Sequence, residues 1–257
     1  MKGPTPLIRQ RGKRLELWGV RFTPFPLPKL IEELRDRLRA GERGIVIFTP
    51  DARAFSLAIL RKDLRVLLNE AEYVVCDGVG VSLAARAFGA RLPRVAGVDL
   101  AWELCRMAAE EGLSVYLLGA RPEEVKKAAT ALTAAFPGLR LVGHHHGYFR
   151  GAGPVEEIRA LSPDLLFVGM GFPKQERWIL AHRRCGAGIL MGVGSTFDIW
   201  SGRFPRAPRW VQEVGLEWLW RAFQDPRRVR KLWAVPFLLV CIAWSWIRWH
   251  TKALLKG

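Results

Sequence analysis

Gly44-Ile45-Val46-Ile47-Phe48-Thr49-Pro50-Asp51 sets the pattern for the whole chain. Four apolar residues stand in a row, closed by glycine on one side and Thr-Pro-Asp on the other. So short a run reads as a strand, and its unbroken hydrophobicity places it in a sheet covered on both faces. The same signature returns at Tyr73–Cys76, Ser114–Leu118, Leu165–Val168 and Ile189–Met191. Helical stretches lie between, at roughly residues 28–40, 52–70, 79–88, 99–111, 122–135 and 173–184. Strand alternating with helix predicts an α/β fold with a mainly parallel sheet flanked by helices.

Ligands of parallel α/β folds bind beyond the carboxyl ends of the strands. At those ends stand Thr49-Pro50-Asp51, Asp77-Gly78-Val79-Gly80, Gly119-Ala120-Arg121, Gly169-Met170-Gly171-Phe172-Pro173-Lys174-Gln175-Glu176 and Gly192-Val193-Gly194-Ser195-Thr196-Phe197-Asp198. Glycine lets backbone N–H groups approach a phosphate, and a following helix N-terminus favours its charge. None of these GxG runs carries the third glycine of a dinucleotide fingerprint, and there is no Walker P-loop. A single glycine turn serves geometry as readily as a ligand. Several on one edge, beside Lys174-Gln175-Glu176, favour a nucleotide-like ligand. Asp77 fits two roles, cap of the next helix or general base for a hydroxyl nucleophile, and the sequence does not choose between them. His144-His145-His146 lacks a third ligand at metal spacing and a local Asp or Glu, so a solvated or hydrogen-bonded cluster is expected rather than a metal site.

The chain has 257 residues, half of them hydrophobic and a quarter charged, enough for one α/β domain with a sizeable core. Its net charge of +16 suits an anionic partner: nucleic acid, a phospholipid surface or a phosphorylated substrate. Cys76, Cys105, Cys185 and Cys241 form no CxxC pair and read as reduced thiols of a cytosolic protein. Residues 1–29 are broken by Pro4, Pro6, Pro24, Pro26 and Pro28 and lack the apolar core of a signal peptide.

Composition changes near residue 201. Residues 201–257 hold eleven Lys and Arg against three Asp and Glu, and seven of the eleven tryptophans. The uncharged run Leu232–Ile247 is 16 residues long, short of the ~20 that a spanning helix needs. Arg227, Arg228, Arg230 and Lys231 flank one end, and Arg248, Lys252 and Lys256 the other. A buried core helix and an oligomer contact are the plainer readings. Tryptophan concentrated with basic residues favours attachment to a membrane surface. Nucleic-acid binding is not expected, because an unbroken apolar run does not suit a phosphate-facing helix.

Several of these stretches together resemble one family. They are Thr49-Pro50-Asp51, Asp77–Gly80, Arg94-Val95-Ala96-Gly97-Val98-Asp99, Gly171–Glu176, Gly192–Gly194 with Phe197-Asp198, Gly202 to Pro208, and Gly215-Leu216-Glu217-Trp218. Their order and spacing, over about residues 15–235, are similar to the WecG/TagA/CpsF glycosyltransferases, family twenty-six. The combination is far more specific than any one motif. The resemblance implies a Rossmann-like catalytic domain over residues 1–200 and a helical appendage over 201–257 that completes the site and meets the membrane. It implies an inverting transfer of N-acetylmannosamine from a UDP donor to undecaprenyl-diphosphate-linked N-acetylglucosamine, in teichoic acid or other cell-surface polysaccharide synthesis. The alternatives are another UDP-sugar donor, N-acetylmannosaminuronic acid or glucose, and a non-catalytic nucleotide-binding protein at the membrane.

On that resemblance Asp77 is the base and Thr49 holds substrate nearby. Arg94 and Gln175 contact donor or acceptor. Asp51, Gly78, Gly171, Lys174, Glu176, Gly192, Gly194 and Asp198 line the substrate site. Arg206, Arg209, Arg221 and Arg227 take the diphosphate of the acceptor lipid, a task that suits arginine's planar fork. No cofactor is expected, since the UDP-sugar is a substrate, and no aspartate pair demands a metal. The expected partners are donor, acceptor lipid, an anionic membrane surface at the cytoplasmic face, and further copies of the chain. Asp51 departs from the asparagine of many relatives, and the tail is longer and richer in tryptophan than the family's.

Overall fold

The structure, a computed structural model, describes residues 8–11, 14–208, 210–211, 217–224 and 233–254. It opens with strands β1 (Ile8–Arg11), β2 (Arg14–Leu17) and β3 (Val20–Phe22) in a small antiparallel sheet. The proline-broken reading of the N-terminus missed these strands. Their apolar residues alternate: Leu15, Leu17, Val20 and Phe22 turn inward and are buried. Phe22 meets Phe55 with ring centroids 5.3 Å apart, and Thr23 N donates to Val74 O at 2.8 Å, fastening the small sheet to the large one.

The large sheet contains β4 (Ile45–Phe48), β5 (Tyr73–Val74), β6 (Ser114–Gly119), β7 (Arg140–His145), β8 (Leu165–Gly169) and β9 (Ile189–Gly192). Its order is β5-β4-β9-β8-β6-β7, and every pairing is parallel. The expected fold class is what the structure contains. The four inner strands are buried on both faces, as their unbroken apolar sequences require. Val46, Phe48, Leu118, Val168 and Leu190 pack to one side, and Ile45, Ile47, Leu117, Phe167 and Met191 to the other. β6 and β8 approach so closely at their ends that a Cβ on Gly119 would lie 2.3 Å from Gly169 O. With φ at +145°, only glycine serves there.

The flanking helices are α1 (Leu27–Arg39), α2 (Ala52–Leu60), α3 (Lys62–Asn69), α4 (Val79–Ala87), α5 (Gly97–Glu111), α6 (Pro122–Ala135), α7 (Val155–Leu161), α8 (Lys174–Ala181) and α9 (Thr196–Trp200). The stretch read as one helix over 52–70 is two, because Arg61 is extended (φ −121°, ψ 115°) and its guanidinium bonds the Asp63 carboxylate. Two further helices follow, α10 (Glu217–Gln224) and α11 (Ala234–Leu254).

α11 packs on α2 and α4. Among its described residues Ala234, Leu238 and Ser245 are buried, Ser56 Oγ donates to Ala234 O at 3.3 Å, and Leu238 would meet a Cβ on Gly80 at 3.5 Å. Leu239, Val240, Trp244 and Ile247 are exposed on the same helix. No described helix is long and apolar enough to cross a membrane.

The amino end of the sheet is closed by acids. Glu72 accepts from Val46 N at 2.9 Å and pairs with Arg183. Asp164 accepts from Ser114 N at 2.9 Å and Ser114 Oγ at 2.8 Å, and pairs with Arg43 at 3.1 Å. These carboxylates are occupied with strand beginnings. The carboxyl end is built differently.

Candidate active site

β4 and β9 lie side by side as inner, parallel strands of the sheet. Open α/β sheets bind their ligands beyond the carboxyl ends of such strands. Thr49 and Gly192 end the two strands there, joined by a bond from Thr49 Oγ1 to Gly192 O at 3.2 Å. Gly97 opens α5 against the same spot, where a Cβ would lie 2.7 Å from Thr49 Oγ1.

Asp77 follows β5 on this edge and is half-buried. The helix after it, α4, takes Gly78 as its N-cap residue. Asp77 Oδ1 accepts from Gly97 N at 3.1 Å, at the N-terminus of α5. That end of the helix favours negative charge and fixes one carboxylate oxygen. Asp77 and Thr49 are thus brought together through Gly97. Next to Asp77, the Cys76 thiol is pushed up to about 12 by burial and by the Asp77 charge. It stays protonated at neutral pH, so no thiolate nucleophile stands on this edge.

Arg94 returns from the loop after α4. Its Nε donates to Asp77 O at 3.3 Å, and its guanidinium pairs with buried Glu217 on α10 at 3.3 Å. The C-terminal segment therefore reaches the Asp77 edge through this pair. Arg94 also lines a cleft of about 540 Å³ with Ser82, Arg86, Arg91 and Leu92. Among the described residues three arginines and no acid line that cleft, which suits an anionic ligand.

Asp51 Oδ1 accepts from Ala54 N at 2.8 Å and so caps α2, which occupies the charge that the departure from asparagine adds. Lys174 Nζ donates to Gly147 O at 2.8 Å and lies over the Phe149 ring. Gln175 and Glu176 are buried, 5% and 4% exposed. Gln175 Oε1 accepts from Gly171 N at 3.1 Å and Gly194 N at 3.0 Å, tying the turn after β8 to the turn after β9. Its Nε2 donates to Glu176 Oε1 at 2.9 Å. Burial holds the Glu176 carboxyl up at about 7 against the pull of the Gln175 bond, with the Asp51 charge adding to the rise. Gly78 closes on α2: a Cβ there would lie 3.2 Å from Ala52 N.

Asp198 on α9 accepts from Phe204 N through its carbonyl and lies 3.7 Å from Arg203. Arg206 pairs with Asp99 in the first turn of α5, two residues from Gly97. Arg209, Arg227 and the side chain of Arg221 lie outside the described residues. The histidines are hydrogen-bonded locally, His145 Nδ1 to His146 O at 2.8 Å and Tyr148 N to His146 Nδ1 at 3.2 Å. Among the described residues no three His, Cys, Asp or Glu side chains converge as a metal-ligand set.

Sequence reasoning did not single out Gly97, Asp99 or Glu217, although all three stand inside the quoted motifs. Glu217 carried a usable signal, as one of only three acids in an otherwise basic tail. Gly97 carried none, because its need for a missing Cβ arises only when β4 and α5 meet.

Comparison with known proteins converges on the same stretch. The model of the glycosyl transferase WecG/TagA/CpsF family matches residues 15–252. The N-acetylglucosaminyldiphosphoundecaprenol N-acetyl-beta-D-mannosaminyltransferase of Staphylococcus aureus strain MW2 is 31% identical over 240 residues, covering 91% of this chain and 94% of its own. The protein of the same name from strain COL matches with the same identity and coverage. With that family model spanning the sheet, the Asp77 edge and the C-terminal helices, the chain belongs to the glycosyl transferase WecG/TagA/CpsF family.

Proposed function

We propose that this chain transfers N-acetylmannosamine from a UDP-linked donor to undecaprenyl-diphosphate-linked N-acetylglucosamine, inverting the anomeric carbon. The acceptor and the sugar are those in the names of its relatives. Those names print a β linkage, which one displacement on an α-linked nucleotide sugar would give. The observation that carries the reading is Asp77 at the carboxyl edge, one oxygen held by Gly97 N and Thr49 against the same glycine.

In the proposed step the acceptor hydroxyl oxygen attacks the anomeric carbon and its proton passes to the Asp77 carboxylate. The bond from that carbon to the UDP oxygen breaks, and its electron pair leaves on the diphosphate. The turns after β8 and β9, through backbone N–H groups other than the Gly171 and Gly194 ones that bond Gln175, are assigned to the diphosphate of the donor, and the Arg-lined cleft to the acceptor. The exposed apolar residues of α11 are assigned to the surface of the membrane that carries the acceptor.

Asp77→Asn tests this directly. Asparagine still offers an oxygen to Gly97 N but cannot take the proton. UDP release from UDP-N-acetylmannosamine with a short polyprenyl-diphosphate acceptor should fall by ~100-fold or more, with the unfolding midpoint little changed. Undiminished turnover would remove Asp77 from the mechanism. Release from a different UDP-sugar alone would replace the donor.

A further inference from the structure

Gln175 and Glu176 sit side by side in the first turn of α8, both out of reach of solvent. We infer that Glu176 is a positioning residue: it fixes which way round the Gln175 amide lies, and the amide in turn pins the two glycine turns of the donor site. The part played by those turns rests on the glycosyl transfer proposed above.

A primary amide is nearly symmetric in shape but opposite in hydrogen bonding at its two ends. Gln175 Oε1 receives two backbone N–H groups, from Gly171 and Gly194. Turned over, the amide would aim N–H groups at those two donors and an oxygen at the Glu176 carboxyl. With Glu176 ionised, three hydrogen bonds would be lost together. Glu176 Oε1, accepting from Nε2, is the contact that selects the working orientation. Space has been made for it as well: a Cβ on Gly192 would lie 2.8 Å from Gln175 Nε2.

The turns need such a pin. Gly171 (φ +80°) and Gly194 (φ +57°) both occupy the left-handed region, and glycine has many other conformations to wander into. One amide oxygen holds both at once. Glu176 holds this post at some cost, because its Oε2 is buried with no hydrogen-bond partner among the described residues. A purely structural neighbour would be better served by an apolar side chain.

The test compares Glu176→Gln, Glu176→Met, Gln175→Met and the double variant Gln175→Met/Glu176→Met. Glu176→Gln keeps an acceptor oxygen and should stay within about twofold of the parent in kcat/KM. Glu176→Met should raise the donor KM about tenfold with a smaller change in kcat. The double variant should be no worse than Gln175→Met alone, because Glu176 acts only through Gln175. Amide hydrogen exchange supplies a readout that needs no turnover: Gly171 and Gly194 should lose protection in Glu176→Met and keep it in Glu176→Gln. Additive losses in the double variant, or protected glycines in Glu176→Met, would overturn the inference. Should Glu176→Met fail to fold, the parent chain still decides, since rapid exchange of its Gln175 side-chain amide would overturn the clasp and slow exchange would support it. A parent that releases no UDP with any acceptor would sink the transferase reading, while the exchange data would still judge the clasp.

Discussion

Replacing Glu176 by glutamine should stabilise the protein more and more as pH rises. Glu176 is 4% exposed, and burial raises its carboxyl from 4.5 to about 7. A raised carboxyl favours the protonated form in the folded chain. The stability it contributes is therefore whole below pH 4.5 and is lost as pH climbs through about 7. The gap between the two values corresponds to roughly 3 kcal/mol, most of it falling between pH 5 and pH 8. Glutamine has the shape of the protonated acid and does not ionise, so the variant escapes the loss. Urea unfolding followed by far-UV circular dichroism, on both proteins at pH 5, 6, 7 and 8, reads the difference at each pH. Other titrating groups move both curves alike and cancel. The advantage of the variant should be small at pH 5 and larger by roughly 2–3 kcal/mol at pH 8. A difference that does not change with pH would show that Glu176 ionises at its ordinary value, and the account of its burial would be wrong.

Gly97→Ala should impair turnover while the sheet persists, because the new methyl would press on Thr49 Oγ1 at 2.7 Å and Thr49 Cβ at 3.2 Å. The overpacking should cost about 1–3 kcal/mol, read as a lower urea midpoint, and Gly97→Ala at full activity would refute the close approach of α5 to β4. Glu217→Ala removes the carboxylate that anchors α10 to Arg94. A partly buried pair of this kind should be worth about 1 kcal/mol in stability, and the acceptor KM should rise while the donor KM holds.

The six-stranded sheet was legible because burial on both faces leaves a mark in sequence. Ile45–Phe48, Leu165–Gly169 and Ile189–Gly192 must be apolar at every position, and they are. β7 escaped for the complementary reason. Arg140-Leu-Val-Gly-His-His lies at the sheet edge, half in solvent, and no continuous run is demanded of it. Leu15, Leu17, Val20 and Phe22 did alternate in the manner of a half-buried strand, but the prolines around them drew the eye to loop. The break at Arg61 had no glycine or proline to announce it. At the carboxyl edge the positions were readable from strand ends, since the topology dictates where a ligand lies. The partners were not. Gln175 meets Gly194 only because β8 and β9 are neighbours, and Asp77 meets Gly97 only because the chain comes back beside it twenty residues on.

The seat of α11 has a practical corollary. The helix rests on α2 and α4, and those two begin at Asp51 and Gly78, the threshold of the crevice. A shortened chain designed for easier handling, ending before residue 233, would strip Ala234 and Leu238 from their berth and leave a greasy trough between Ser56 and Gly80. Trimming the tail is thus surgery on the doorway, and a truncated preparation that fails to turn over says nothing by itself about where the lipid sits.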